Sequence, residues 1–244
     1  MATLGLPAER WSTAADVAFS FRPGDSITRE NDDKVAALHA ELTRIKAEGR
    51  KIVALSPSSV VLKKTGEAGI AYVDLLAKAA AHLHGLGHHI LVLPNATRAG
   101  GEGARNNDFF VIAQLRQAME REGSGVDPAR VSWVDFDLNT DSIRKLVGEC
   151  DLLVTSRFHA MVAGLALAVP TFVIGWSHKY EEVLELFGCE DDAIDFAAMR
   201  DTLLPQIDRM LAGLDERHAR IAAALPQVIA SSQRQFALPD DIAR

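Results

Sequence analysis

Two short cationic clusters lie in the stretch TSRFHAMVAGLALAVPTFVIGWSHKY, from Thr155 to Tyr180: Arg157 with His159, and His178 with Lys179. Each follows a serine, Ser156 or Ser177, and each opens a segment that reads as a helix. Serine is a favoured N-cap, which places Arg157 and His178 in first helical turns. There the helix dipole disfavours a cation by a few tenths to about 1 kcal/mol. An anion held between the free N–H groups and the cations reverses that penalty. Arg grips a carboxylate or phosphate through two parallel hydrogen bonds, Lys adds a point charge, and imidazole exchanges protons near neutral pH. The chemistry on offer is anion binding beside acid–base catalysis. The ordinary alternative is that Arg157 is a structural ion pair and each His a capping or core residue. Two clusters rather than one favour a site.

The elements that position these side chains read as alternating strands and helices from Lys51 onward. KIVALSPSS, HHILVLP, RVSWVDF, DLLVTS and TFVIGW are β-branched or apolar runs bounded by turn residues, and AIDF is a sixth edge strand. Between them, helical spacing links Ile70, Val73, Leu76, Ala80 and Leu83; Phe109, Ile112, Leu115 and Met119; Ile143, Leu146 and Val147; and Tyr180, Val183, Leu184 and Phe187. A helix over Asn31 to Glu48 precedes the first strand. Two helices, about 198–213 and 215–236, close the chain, the last one kinked or split at Pro226. Strands reading as continuous apolar runs, alternating with helices, predict an α/β fold: a doubly wound, Rossmann-like parallel sheet of order 3-2-1-4-5 with an added sixth strand.

In such a sheet, ligands bind beyond the carboxyl ends of the strands at the switch point. Arg157 and His159 follow strand four; Ser177, His178 and Lys179 follow strand five, about 4.8 Å away if the strands are neighbours. Ser56, Ser58 and Ser59, after strand one, flank the same cleft across the switch point. Asn106 or Asn107 caps the helix after the glycine-rich AGGEGARNND stretch, and Asp135 and Asp137 follow strand three.

Several function classes recede on composition. The chain has 244 residues, 48% hydrophobic and 24% charged, with a net charge of −7 that argues against nucleic acid as a partner. Its two cysteines, Cys150 and Cys189, form no CxxC pair and suit a reducing cytoplasm. The N-terminus lacks the pattern of a signal peptide, and Pro170 divides the one long apolar run, so no membrane span is expected. His82, His84, His88 and His89 crowd eight residues without the geometry of a metal site, and AGGEGA lacks the third glycine of a dinucleotide loop.

CDLLVTSRFHAMVAGLALAVPTFVIGWSHKYEEVLELFG, with its SRFHA, VP and GWSHKY segments, closely resembles the polysaccharide pyruvyl transferase family. ADVAFSF, ALSPSS and ILVLPNATR are similar to weaker segments of that family, extending the resemblance over roughly residues 15–190. It implies transfer of the pyruvyl unit of phosphoenolpyruvate to hydroxyls of a bacterial glycan or lipid-linked sugar, with no cofactor and no metal. It also implies a fold like that of GT-B glycosyltransferases, with two Rossmann-like domains and a cleft between them. Family members carry a first such domain ahead of ADVAF, so this chain reads as the second half. Residues 1–50 would be an extension and helix linking to that domain, 51–197 the Rossmann-like domain, and 198–244 the C-terminal helices. A separate N-terminal-half chain or a second copy would be the partner, covering Trp11, Phe19 and Phe21. Under this reading Arg157 holds a carboxylate or phosphate, His159 is the acid/base, and His178 and Lys179 bind phosphate. The competing readings are a GT-B glycosyltransferase or nucleotide-sugar epimerase, and a non-catalytic binding subunit.

Overall fold

The computed structural model describes residues 13–21, 31–97, 106–175 and 177–236; Trp11, Trp176 and all of AGGEGAR lie outside them. Its sheet is parallel throughout, in the order β3-β2-β1-β4-β5-β6. The strands are β1 (Ile52–Ser56), β2 (His89–Val92), β3 (Val131–Trp133), β4 (Leu152–Thr155), β5 (Thr171–Gly175) and β6 (Ala193–Asp195). This is the expected doubly wound, Rossmann-like α/β topology, with its switch point between β1 and β4.

Alternation along the strands assigns each side chain to a face. Val53 and Leu55, Ile90 and Val92, Leu152 and Val154, and Phe172 and Ile174 enter one core. It is covered by α2 (Ser59–Glu67), α3 (Tyr72–Gly85), α4 (Phe109–Met119) and α8 (Met199–Ala212). Ile52, Ala54, Leu91 and Leu153 point the other way, against α1 (Asp32–Ala47) and α5 (Thr140–Val147). Val173 faces a third cluster built by α6 (Phe158–Ala166), α7 (Lys179–Glu185) and α9 (Leu214–Gln233). Both faces are thus covered, which is why the strands read as unbroken apolar runs.

Three local expectations need correction. The nine-residue α2 lies where only a loop was anticipated, and α3 starts after Ile70. The helix α9 runs unbroken through Pro226. Phe19 is not an exposed aromatic awaiting a partner: it is 2% exposed, 5.6 Å from the Phe187 ring, in the cluster that α9 helps close. The 3₁₀ turn Val17–Ser20 is tied to α9 by Ala15 N–H donating to Ser231 Oγ and Ser232 Oγ donating to the Asp16 carbonyl. Phe21 is half-buried.

Gly164 marks the tightest approach of α6 to the sheet. A Cβ there would sit 2.9 Å from Leu153 Cδ2 and closer still to Thr171 Oγ1. Gly164→Ala gains about 1 kcal/mol of helix propensity but overpacks by more. The expected net loss is about 1–2 kcal/mol, read as a lower urea midpoint with unchanged slope.

His89 opens β2, 1% exposed, with Nε2 2.8 Å from Ser132 Oγ, which in turn donates to Glu41 at 2.9 Å. Burial pushes its imidazole down to about 4. Because the folded value lies below the unfolded one, the unfolded chain takes up the proton first. Stability present above pH 6.5 is therefore lost as pH falls towards 4, by about 3 kcal/mol at most. Urea unfolding at pH 7 and pH 5 should show a decline that His89→Gln flattens.

Candidate functional site

The strand ends meet as predicted: Ser56 pairs with Thr155 in register, and Thr155 with Val173. Each serine, however, has a local or tertiary task. Ser58 Oγ caps α2, accepting from Val60 N at 3.2 Å and Val61 N at 3.4 Å. Ser56 Oγ is buried without a hydrogen-bond partner, while its carbonyl accepts from Ser156 N at 3.1 Å. Ser156 caps nothing: its Oγ shares a 2.7 Å hydrogen bond with the hydroxyl of Tyr72, which also accepts from Ser58 N. Burial pushes that Tyr72 hydroxyl up to about 12, so it stays protonated. The N-cap position of α6 falls to Arg157 and that of α7 to His178, without a side-chain cap. Ser177 is half-buried and contributes its carbonyl to Tyr180 N at 3.2 Å.

Arg157 does not wait open for a ligand. Its Nε donates to Asp108 Oδ1 at 3.0 Å, its Nη2 to Asp108 and, at 3.1 Å, to Ser59 Oγ, and its Nη1 to Asn106. Asp108 is fully buried and also accepts from Ser59 N (3.1 Å), Asn95 N (3.2 Å) and Ala96 N (2.9 Å). The backbone donors and guanidinium expected to cradle an outside anion converge on an internal carboxylate. This is the structural ion pair weighed above, and it joins the loops after β1, β2 and β4.

Asp108 itself escaped the sequence reading. Its signal was an acid directly before a helix. Asp108 also takes the N-cap position of α4 expected of Asn106 or Asn107, without a side-chain cap; Asn107 Oδ1 accepts from Phe109 N at 3.2 Å, and Asn106 adopts φ +72° beside Arg157.

His159, two residues on, faces elsewhere. It is exposed and borders a cleft of about 630 Å³ on the α5/α6 side of the sheet, together with Asn95, Asn139, Asp141, Arg144 and Phe21. Its ring meets Phe158 edge-on at 5.5 Å between centroids. The other side of this small array is Lys179, whose Nζ sits 4.7 Å from the Phe158 centroid and 5.4 Å from that of Tyr180, as in cation–π contacts. Phe158 thus links His159 to Lys179. His178 stands apart, its side chain 94% exposed, with Nδ1 3.5 Å from Glu181.

Arg144 is a second residue that the sequence reading passed over, hidden within the stripe of a short helix. Its Nη2 donates to the Ala18 carbonyl at 2.8 Å and its Nη1 to the Phe21 carbonyl at 3.4 Å, and the guanidinium carbon lies 4.8 Å from the Phe21 ring centroid. Burial lowers its basicity and neighbouring Asp141 raises it.

Elsewhere, His82 lies 2.6 Å from Asp208, and Arg116 pairs with Asp135 at 3.6 Å. Among the described residues no group of three His, Cys, Asp or Glu side chains is placed to hold a metal ion. No described helix is long and apolar enough to cross a membrane.

Comparison with known proteins supplies what geometry alone does not. In fold, the chain is similar to a solved structure described as trehalose-6-phosphate from E. coli bound with UDP-2-fluoro glucose. That match has a TM-score of 0.51 and 14% identity, over 91% of this chain and 49% of that one. The chain therefore spans about half the length of that structure, and at this identity the likeness shows a Rossmann-like fold alone. A family model described as polysaccharide pyruvyl transferase matches residues 4–178, from before the 3₁₀ turn through SRFHA to His178. With the match running over well more than half of its length, the chain belongs to the polysaccharide pyruvyl transferase family.

Proposed function

We propose that the chain carries the phosphoenolpyruvate-binding, acid–base half of a pyruvyl transferase acting on a bacterial glycan. The observation that carries this reading is the position of His159. It is an exposed imidazole on the rim of the cleft at the carboxyl end of the sheet, linked through Phe158 to Lys179. An imidazole so placed can protonate the methylene carbon of the enol phosphate while a sugar hydroxyl adds to the adjacent carbon. The C–O bond to phosphate then breaks, a second hydroxyl closes the ketal, and the two hydroxyl protons are accounted for by the new methyl group and the released phosphate. Lys179 is placed to offset charge as phosphate leaves. Arg157 enters as a positioning residue, since its guanidinium is spent on Asp108.

Thermal shift separates this reading from its competitors. Phosphoenolpyruvate should raise the melting temperature more than a nucleotide sugar does, and phosphate should be released when a glycan acceptor is added. A larger shift with the nucleotide sugar would favour glycosyl transfer and overturn the reading. Stabilisation by phosphoenolpyruvate without phosphate release, whatever acceptor is offered, would leave only a binding subunit.

A further inference from the structure

We infer that Arg144 is the residue that takes an oxyanion, carboxylate or phosphate, of a ligand bound in the cleft beside His159. The inference deepens the proposed function and rests on it for the identity of the ligand. Arg157 is held by Asp108, Asn106 and Ser59, so it is not the open clamp. Arg144 is 8% exposed, and it borders the same cleft as His159.

Two of its five N–H groups go to carbonyls of the 3₁₀ turn, and its Nε is buried without an acceptor. No carboxylate lies within ion-pair distance of it among the described residues. Among the described residues its hydrogen bonds go to carbonyls, and Asp141 offsets only part of its charge, so the buried guanidinium remains short of counter-charge. Its two carbonyl bonds and the Phe21 ring hold the plane in place, so little side-chain freedom remains to be lost on binding.

Asp141, on the same face of α5, also borders the cleft and offsets part of the charge. Arg144 is thus placed for the oxyanion, and Asp141 for a hydrogen-bond donor beside it, such as a hydroxyl of the acceptor sugar.

The test follows the Arg144 side-chain ¹⁵Nε–¹H resonance in the parent chain, assigned by its disappearance in Arg144→Lys. The chain is titrated in turn with phosphoenolpyruvate, pyruvate and inorganic phosphate. The expected result is a shift with phosphoenolpyruvate and with one simpler anion, pyruvate marking a carboxylate contact and phosphate a phosphate contact. Arg144→Lys should lower the melting temperature by the loss of a carbonyl bond and bind phosphoenolpyruvate roughly 10–100-fold more weakly. If the variant does not fold, through-bond correlation of the side-chain signal to the Arg144 backbone supplies the assignment, and the parent's titration decides alone. Phosphoenolpyruvate binding by calorimetry without movement of the Arg144 signal overturns the inference and leaves the pyruvyl transfer reading standing. No movement with any of the three anions also overturns it. Movement with pyruvate or phosphate, but no phosphate release from phosphoenolpyruvate with acceptor present, upholds the anion site and sinks the transferase reading instead.

Discussion

Asp108→Asn is expected to lower the unfolding free energy by about 3–5 kcal/mol, the largest stability effect of any single polar substitution considered for this fold. The carboxylate receives donors on both oxygens: Ser59 N and Arg157 on Oδ1, Asn95 N and Ala96 N on Oδ2. An amide cannot accept on both sides, so its NH₂ group confronts donors whichever way it is turned. At the same time Arg157 keeps its charge in a buried place with its counter-ion gone. Adding Arg157→Met should recover part of the loss, because removing both charges costs less than stranding one. Recovery should stay incomplete, since the amide oxygen serves one side only and at least one backbone N–H remains without its acceptor. Chemical denaturation of the two single variants and the double variant measures the coupling. A loss below about 1 kcal/mol for Asp108→Asn would mean that water replaces the carboxylate and that the loops are not joined through it.

His159→Gln is expected to reduce turnover by roughly 10²–10⁴-fold while leaving phosphoenolpyruvate affinity within a few-fold of the parent. Glutamine preserves hydrogen bonding and much of the shape, but it does not exchange a proton near neutral pH. Because the side chain is exposed, folding should be unaffected, and melting curves of parent and variant should overlay. Single-turnover phosphate release with acceptor present, set beside calorimetric affinity, separates the two effects. Normal release by the Gln variant would move the acid–base role to another group, and His178 would be examined next.

What could be read from the chain beforehand was what depends on near neighbours in sequence. The four central strands announced themselves because each is a buried, largely apolar run, and β1 to β6 took the expected order. The short helix α5 was legible from Ile143, Leu146 and Val147. The roles of the site residues were less so, because their partners are remote. Ser156 looked like a cap until Tyr72, 84 positions earlier, claimed its hydroxyl. Arg157 looked like an open clamp until Asp108, 49 positions earlier, neutralised it. Helix α2 had only nine residues and one strong signal, the Ser58 cap, which was instead read as a ligand-binding serine. Local pattern sets which elements form; which hydroxyl or charge is consumed inside the fold is a tertiary matter.

The hydrogen bonds between the 3₁₀ turn and α9 impose an order of assembly. Ala15 and Asp16 are bonded to Ser231 and Ser232, 216 positions away, and Gln235 Nε2 reaches back to the Ala15 carbonyl. Contacts of such long sequence separation carry a large loop-closure cost and form late. During synthesis the sheet and its flanking helices can therefore form while the turn still lacks the α9 side of its seat. Yet that turn supplies Ala18 and Phe21 to the wall of the cleft and holds Arg144 by its carbonyls. The cleft is thus finished last: a ribosome must deliver the end of α9 before the Val17–Ser20 turn can complete its wall.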